Sequence, residues 1–188
     1  MMTIQFNGTP IHVGSLESGP FNALLEEYST RKKVIVVDEN THDCCLEYLL
    51  TAFPSLEDAE VMLLPAGEEN KALEVCYQVW SAMLEYQINR TDLVINLGGG
   101  VVTDLGGFIA SVYKRGVDFI HIPTSLMGMV DAAIGGKNGV DLNGLKNIIG
   151  TITQPKAIFV YAGFLETLPP EEVFNGYAEM LKHALILD

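Results

Sequence analysis

Cysteine is scarce in this chain: of 188 residues, only Cys44, Cys45 and Cys76 carry a thiol. An odd number with two adjacent excludes both a disulfide framework and a Cys-x-x-Cys metal knuckle, and leaves reduced, partly buried thiols. Cations are scarce too. Eleven Lys and Arg stand against 24 Asp and Glu, a formal net charge of −13. So acidic a surface repels nucleic acid and anionic membranes, and neither is expected as a partner. No apolar run approaches the ~18 residues of a membrane span. The amino terminus, MMTIQFNGTP, has neither the basic n-region nor the apolar h-region of a secretory signal. A soluble, cytoplasmic protein is expected. Three of the four histidines, His12, His42 and His121, are scattered without ligand spacing. Internal repeats, low-complexity tracts and Pro/Ser linkers are missing as well.

What is present forms a core. Apolar residues make up 48% and charged residues 19%, over a length that suits one ordinary domain. The β-branched run KVIVVDEN (Lys33–Asn40) reads as a buried strand opening into a loop. Strands are also expected at Glu60–Leu64, Leu93–Leu97, Phe119–Ile122 and Ala157–Val160. Helical spacing marks Thr41–Phe53, Lys71–Tyr86 and Val101–Tyr113. In the second of these, Leu73, Cys76, Tyr77, Trp80 and Leu84 are expected to face the core. The third is apolar almost all round and should be buried on most faces. Alternation of strand and helix predicts an α/β fold, a Rossmann-like, mostly parallel sheet with flanking helices. In such sheets ligands sit beyond the carboxyl ends of the strands. That rule picks out Asp38–His42, Gly67–Lys71, Gly98–Asp104 and Thr124-Ser125.

The stretch INLGGGVVTDLGGFIASVYKRG (Ile95–Gly116) ends a strand in three glycines and opens a helix. Bare backbone there admits a bulky anion, which the free N–H groups of the helix start attract. The alternative is a tight strand-to-helix turn with no ligand. The usual dinucleotide fingerprint is not matched, because Thr103 occupies the third glycine position, and no Walker A lysine follows. Asp104, in the first helical turn, either stabilises the helix dipole or faces a bound sugar. Asp131, Lys137, Asn138, Asn143, Lys146 and Asn147 lie together in a glycine-rich stretch. In so acidic a chain its lysines read as cations held to meet an anion. Glu68 and Lys71 read equally as ribose and phosphate contacts or as first-turn residues of the next helix. In GYAEMLKHAL (Gly176–Leu185), Glu179–Lys182 is an i,i+3 pair and Glu179–His183 an i,i+4 pair, which alone read as surface ion pairs. The last stretch, from PPEEVF onward, begins with helix-start chemistry and has no stop signal. A first unit over residues 1–168 is therefore expected, with 169–188 opening a further domain.

Together these stretches resemble the 3-dehydroquinate synthase family of sugar-phosphate cyclases in the shikimate pathway. The resemblance rests on GGGVVTDLGGF, YKRGVDFIHIPTSLMGMVDAAIGGKNGVD, LKNIIG and FLETLPPEEVFNGYAEMLKHALILD, in order, from about Val34 onward. It implies NAD bound across an α/β domain and zinc (or cobalt) at its junction with a helical domain. The implied reaction converts 3-deoxy-D-arabino-heptulosonate 7-phosphate to 3-dehydroquinate with loss of phosphate. By matched position, Asp38 and Asn40 lie near the adenosine ribose. Glu68, Lys71, Gly99, Gly100, Asp104, Thr124, Ser125, Phe164, Thr167 and Leu168 line the cofactor site. Lys137 and Asn147 would grip the substrate phosphate, Asp131 its hydroxyls, and Lys146 the nicotinamide side. Lys182 is a substrate lysine, Asn175 an active-site amide and Glu179 the first metal ligand. Arg115 would reach a neighbouring subunit's substrate, which implies a homodimer.

The match has departures. Ala66 replaces an aspartate, Ala132-Ala133 a pair of serines, Asn138 a threonine and Leu145 a glycine. Relatives that cyclise sedoheptulose 7-phosphate or glucose 6-phosphate share the cofactor half, and glycerol-dehydrogenase-like enzymes lack the lysine stretch. The family's two histidine ligands are not in this chain, and one carboxylate does not hold catalytic zinc. The expectation is a chain that binds NAD weakly and catalyses nothing, with Met180, Leu181, Ala184, Leu185 and Leu187 forming an uncovered apolar surface. A stand-alone nucleotide-binding module is the alternative from another class.

Overall fold

Each central strand sends alternate side chains to opposite faces of one sheet, and each face is covered by helices. The computed structural model describes residues 1–186. Among them, seven strands form one sheet in the order β1-β2-β9-β6-β5-β3-β4. These are β1 (Met2–Phe6), β2 (Thr9–Val13), β3 (Lys33–Asp38), β4 (Glu60–Leu64), β5 (Leu93–Gly98), β6 (Asp118–Pro123) and β9 (Ile158–Val160). All neighbours pair in parallel except β1 with β2. Helices α1 (Pro20–Glu27), α2 (Glu39–Thr41) and α3 (Glu47–Ala52) cover one face, the last two joined by a π-helical turn over His42–Leu46. Ile35, Ile95 and Ile120 pack there with Phe21, Leu49 and Phe53. Helices α4 (Leu73–Glu85) and α5 (Gly100–Val112) cover the other, where Val34, Val36 and Val94 meet Met83, Val102 and Phe108. The expected α/β architecture is therefore present, with its five parallel strands in place.

Helix α4 differs from expectation in which face it buries. Cys76, Val79 and Met83 are buried, whereas Tyr77 is 71% and Leu84 65% exposed. The i, i+3, i+7 stripe through Cys76 sets the contact with the sheet, and Tyr77 and Leu84 lie outside it. The cysteines are free, with Cys45 and Cys76 buried and both thiols pushed up to about 12 by burial.

Two hairpins were not expected. The β1–β2 pair turns at Asn7-Gly8, and β7 (Lys137–Leu142) pairs antiparallel with β8 (Leu145–Ile152) through Asn143-Gly144. All four turn residues have positive φ: 49° and 84° in the first, 51° and 78° in the second. This is the two-residue turn whose twist matches the strands, and it selects Asn-Gly. The glycine- and lysine-rich stretch expected as a loop is thus an ordered ribbon, packed on α5 and bridged to Ala72 through Asp141. Helix α6 (Pro170–Ile186) closes the described chain.

Candidate functional site

Parallel strands bring their carboxyl ends to one edge, so the loops after β3, β4, β5 and β6 converge there, as the fold rule requires. Glycine permits the tightest of these approaches. A Cβ on Gly98 would lie 2.5 Å from the Val102 side chain, and one on Gly100 would lie 3.2 Å from Ala132 Cβ. Gly99 is the N-cap of α5 and offers no side chain to cap it. The first N–H groups of α5 are therefore left to an outside acceptor, the arrangement that suits a pyrophosphate. Ser125 Oγ stands beside Gly99 and accepts from the Gly128 N–H at 3.1 Å, while Thr124 is buried.

At the centre lies Lys71. It is 3% exposed, and its Nζ donates to Asp104 Oδ2 at 2.5 Å and to Asn147 Oδ1 at 2.7 Å. Burial pushes the Asp104 carboxyl up, and the Lys71 ammonium opposes that shift. Asn147 has a φ of 55° and donates its N–H to Asp141 Oδ1 at 2.8 Å, which fixes it on the ribbon. Lys146, next to it, reaches outward to Glu68 Oε1 at 3.0 Å. Asp104, Asp131, Lys137 and Asn147 all line one cavity of about 560 Å³. An acid from α5, an acid from the turn before the ribbon, and a cation and an amide from the ribbon thus face a common space, which suits a polyhydroxylated anion.

Beside the cavity, α6 passes the Leu126-Met127 turn at Gly176, where an added Cβ would stand 2.5 Å from Leu126 Cβ. That close approach sets Glu179, Lys182 and His183 next to Asp131. Lys182 Nζ pairs with Glu179 Oε1. The ammonium holds the Glu179 carboxyl below the usual range. His183 Nε2 lies 3.5 Å from both Asp131 Oδ1 and Glu179 Oε1. One donor atom each from Asp131, Glu179 and His183 fall within 4.8 Å of one another. From sequence, His183 reads only as a partner of Glu179 in a surface ion pair. Its i,i+4 spacing to Glu179 was visible, but the approach of Asp131 from the distant turn was not.

Other residues named from sequence take other places. The Asp38 carboxylate accepts the Thr41 N–H at 2.8 Å as a helix cap, with Asn40 exposed beside it. Phe164 is buried in an aromatic group with Tyr48 and Tyr161. Thr167 Oγ1 bonds back to the Phe164 carbonyl at 3.3 Å, and Leu168 follows it, half-buried. Asn175 is exposed and reaches Glu172 at 3.5 Å. Arg115 lies at the carboxyl end of α5, which spans about 20 Å, and so at the opposite edge of the sheet from the cavity. It and Lys114 have φ of 66° and 47°, a strained pair before Gly116.

Fold and site together define a Rossmann-like α/β domain with an anion-receptive strand edge. Comparisons sharpen this. A family model described as 3-dehydroquinate synthase N-terminal matches residues 61–175. The 3-dehydroquinate synthase of Parabacteroides distasonis is 43% identical over 82% of this chain and 44% of its own length. That of Acetivibrio thermocellus is 36% identical over 100% of this chain and 52% of its own. Among solved structures, a 2-epi-5-epi-valiolone synthase from Streptomyces hygroscopicus with NAD+ and Zn2+ bound aligns with a TM-score of 0.81 at 33% identity, over 97% of this chain and 51% of that one. A 2-deoxy-scyllo-inosose synthase aligns at 0.88 and 26% identity, over 100% of this chain and 54% of that one. The chain belongs to the 3-dehydroquinate synthase family. It spans about half the length of the curated relatives it matches. Among the described residues no helix is long and apolar enough to cross a membrane.

Proposed function

We propose that this chain is the cofactor-binding part of a cytoplasmic, homodimeric 3-dehydroquinate synthase that acts on 3-deoxy-D-arabino-heptulosonate 7-phosphate. The observation that carries the reading is the shared cavity of Asp104, Asp131, Lys137 and Asn147 beside the uncapped start of α5. The name carried by the curated relatives favours this substrate over those of other cyclases. NAD suits the edge because bare glycine backbone and free N–H groups meet its pyrophosphate. When bound, NAD would supply reversible hydride exchange with the ring carbon that bears a hydroxyl, the hydroxyl oxygen giving up its proton as the ketone forms, and a divalent metal would supply polarisation of the oxygens concerned.

The chain's own residues do the holding. Asp104 accepts from a ribose hydroxyl once Lys71 shares it. Lys137 and Asn147 meet the substrate phosphate, Asp131 its hydroxyls, and Lys146 leaves Glu68 to reach the nicotinamide side. Lys182 faces the substrate across Glu179. Arg115 serves the neighbouring subunit. The chain by itself binds NAD and does not turn over, because the rest of the relatives' length supplies the closure that a productive site needs.

The test is a calorimetric titration of the NAD-saturated chain with the heptulosonate phosphate and, separately, with glucose 6-phosphate. Binding of the first alone, weakened tenfold or more by Lys137→Met, is expected. Preference for glucose 6-phosphate would assign the chain to another cyclase, and indifference to both would favour a plain nucleotide-binding module.

A further inference from the structure

The β7–β8 ribbon is irregular at one place, and the irregularity falls on Lys146 and Asn147. Val140 pairs with Ile149 and Leu142 with Leu145, so Asp141 alone stands opposite Lys146, Asn147 and Ile148. The extra residues of β8 cannot join the ladder and bulge from it, a device that re-aims side chains beside functional sites. Asn147 takes a φ of 55°, in the left-handed region that Asn tolerates better than most side chains. Three hydrogen bonds take the place of the missing ladder. The Asp141 N–H donates to the Lys71 carbonyl at 2.8 Å. Asp141 Oδ1 accepts the Asn147 N–H at 2.8 Å. Asn147 Oδ1 accepts from Lys71 Nζ at 2.7 Å and closes the circuit. Lys71 is 3% exposed, so the circuit is anchored in the body of the domain.

We infer that Asp141 is a positioning residue that holds the bulge in shape and so presents Asn147 to an anionic ligand, a role that rests on the proposed contact between Asn147 and the substrate phosphate. A carboxylate next to a phosphate site repels the ligand. Its presence is explained by what its oxygen holds. Inside the bulge the Asn147 N–H has no ladder partner and needs an acceptor. Asp141, the one residue facing the bulge from β7, is placed to supply it. Without that acceptor the left-handed backbone at Asn147 is no longer held, and its side chain is free to leave Lys71. Asn147 lines the cavity of about 560 Å³ and Asp141 does not, so Asp141 acts through Asn147 and not on the ligand. Its charge and its acceptor oxygen therefore have opposite effects on phosphate affinity, and substitution separates them.

Asp141→Asn keeps an acceptor oxygen and removes the charge, whereas Asp141→Leu removes both. Each variant, shown by circular dichroism to be folded, is saturated with NAD and titrated calorimetrically with the heptulosonate phosphate beside the parent chain. The expected result is a tenfold or greater loss of affinity in Asp141→Leu, with Asp141→Asn binding at least as tightly as the parent and NAD affinity unchanged in both. Hydrogen exchange at the Asn147 amide, read by NMR without ligand, should quicken tenfold or more in Asp141→Leu alone. Equal or tighter phosphate binding in Asp141→Leu would show that the carboxylate acts only by its charge, and overturns the inference. Equal weakening in both variants, or equal exchange in all three chains, overturns it as well. A parent chain that protects the amide but binds no phosphate ligand fails the underlying reading, and the inference with it, whereas the other outcomes leave that reading intact.

Discussion

Lys71 Nζ stands 2.5 Å from Asp104 Oδ2, with the lysine 3% and the aspartate 20% exposed. The pair joins the loop after β4 to the second turn of α5, not the first turn expected from sequence because α5 starts at Gly100, and Asn147 Oδ1 at 2.7 Å extends it to the ribbon. Three segments distant in sequence thereby hold one another at the cavity.

Removing one partner should therefore cost stability. Lys71→Met leaves a largely buried carboxylate without its cation and frees the ribbon's amide. Loss of a partner from a fully buried pair costs 3–5 kcal/mol, and the partial exposure of Asp104 lowers that to about 2 kcal/mol. Urea unfolding followed by circular dichroism measures it, and an unchanged midpoint would show that the pair is solvated.

Acid should act through His121. It lies within the sheet, beside Asn96 on the neighbouring strand at 3.2 Å, and burial pushes its pKa down to about 3. The folded chain keeps this imidazole neutral, whereas the unfolded chain takes up a proton below pH 6.5. Its contribution is thus fully present above pH 6.5 and is lost as pH falls toward 3, at about 1.4 kcal/mol per pH unit. His121→Gln should flatten the fall of unfolding free energy with pH by up to that slope between pH 6 and 4.

The ribbon depends on its turn. Gly144 has a φ of 78°, which a β-branched residue adopts only with strain. Gly144→Val should lower stability by about 1–2 kcal/mol and weaken phosphate-ligand binding through displaced Asn147 and Lys146. Gly144→Asn, which tolerates this conformation, should retain most of both. Thermal unfolding and calorimetry read the two effects.

Helix α6 exposes Phe174 (72%), Tyr177 (60%), Leu181 (52%) and Leu185 (73%) at i, i+3, i+7 and i+11. A stripe of this kind favours association of exposed chains. Sedimentation of the purified chain should show self-association that Leu181→Glu with Leu185→Glu reduces. A monomer at all concentrations would mean that the stripe is well solvated.

The legible parts of the fold were those with strong period. Val34–Val37 is a continuous apolar run and Leu93–Leu97 is apolar but for the buried Asn96, patterns that a strand buried on both faces explains, and α5 is apolar nearly all round because it lies between sheet and ribbon. The anion-receptive edge followed from these strands and the three glycines. The hairpins were missed although both carry Asn-Gly. β1 does alternate apolar and polar residues, MTIQF, but all five are exposed, so the alternation marks no buried face, and in β7 and β8 glycines and amides mask the strand period. The core face of α4 was misassigned because Tyr77 and Leu84 are apolar yet lie off the contact stripe. At Glu179 the local spacing gave an ion pair, and the approach of Asp131 depends on Gly176 meeting Leu126, a tertiary contact that no spacing records.

The central claim is that the strand edge around Gly99 and Asp104 holds NAD. Isothermal titration of the purified chain with NAD tests it directly, alongside Asp104→Ala and Gly99→Val chains shown to be folded. The account predicts saturable, one-to-one binding that both substitutions weaken tenfold or more. Binding of equal strength in all three chains would place the nucleotide elsewhere and contradict the account.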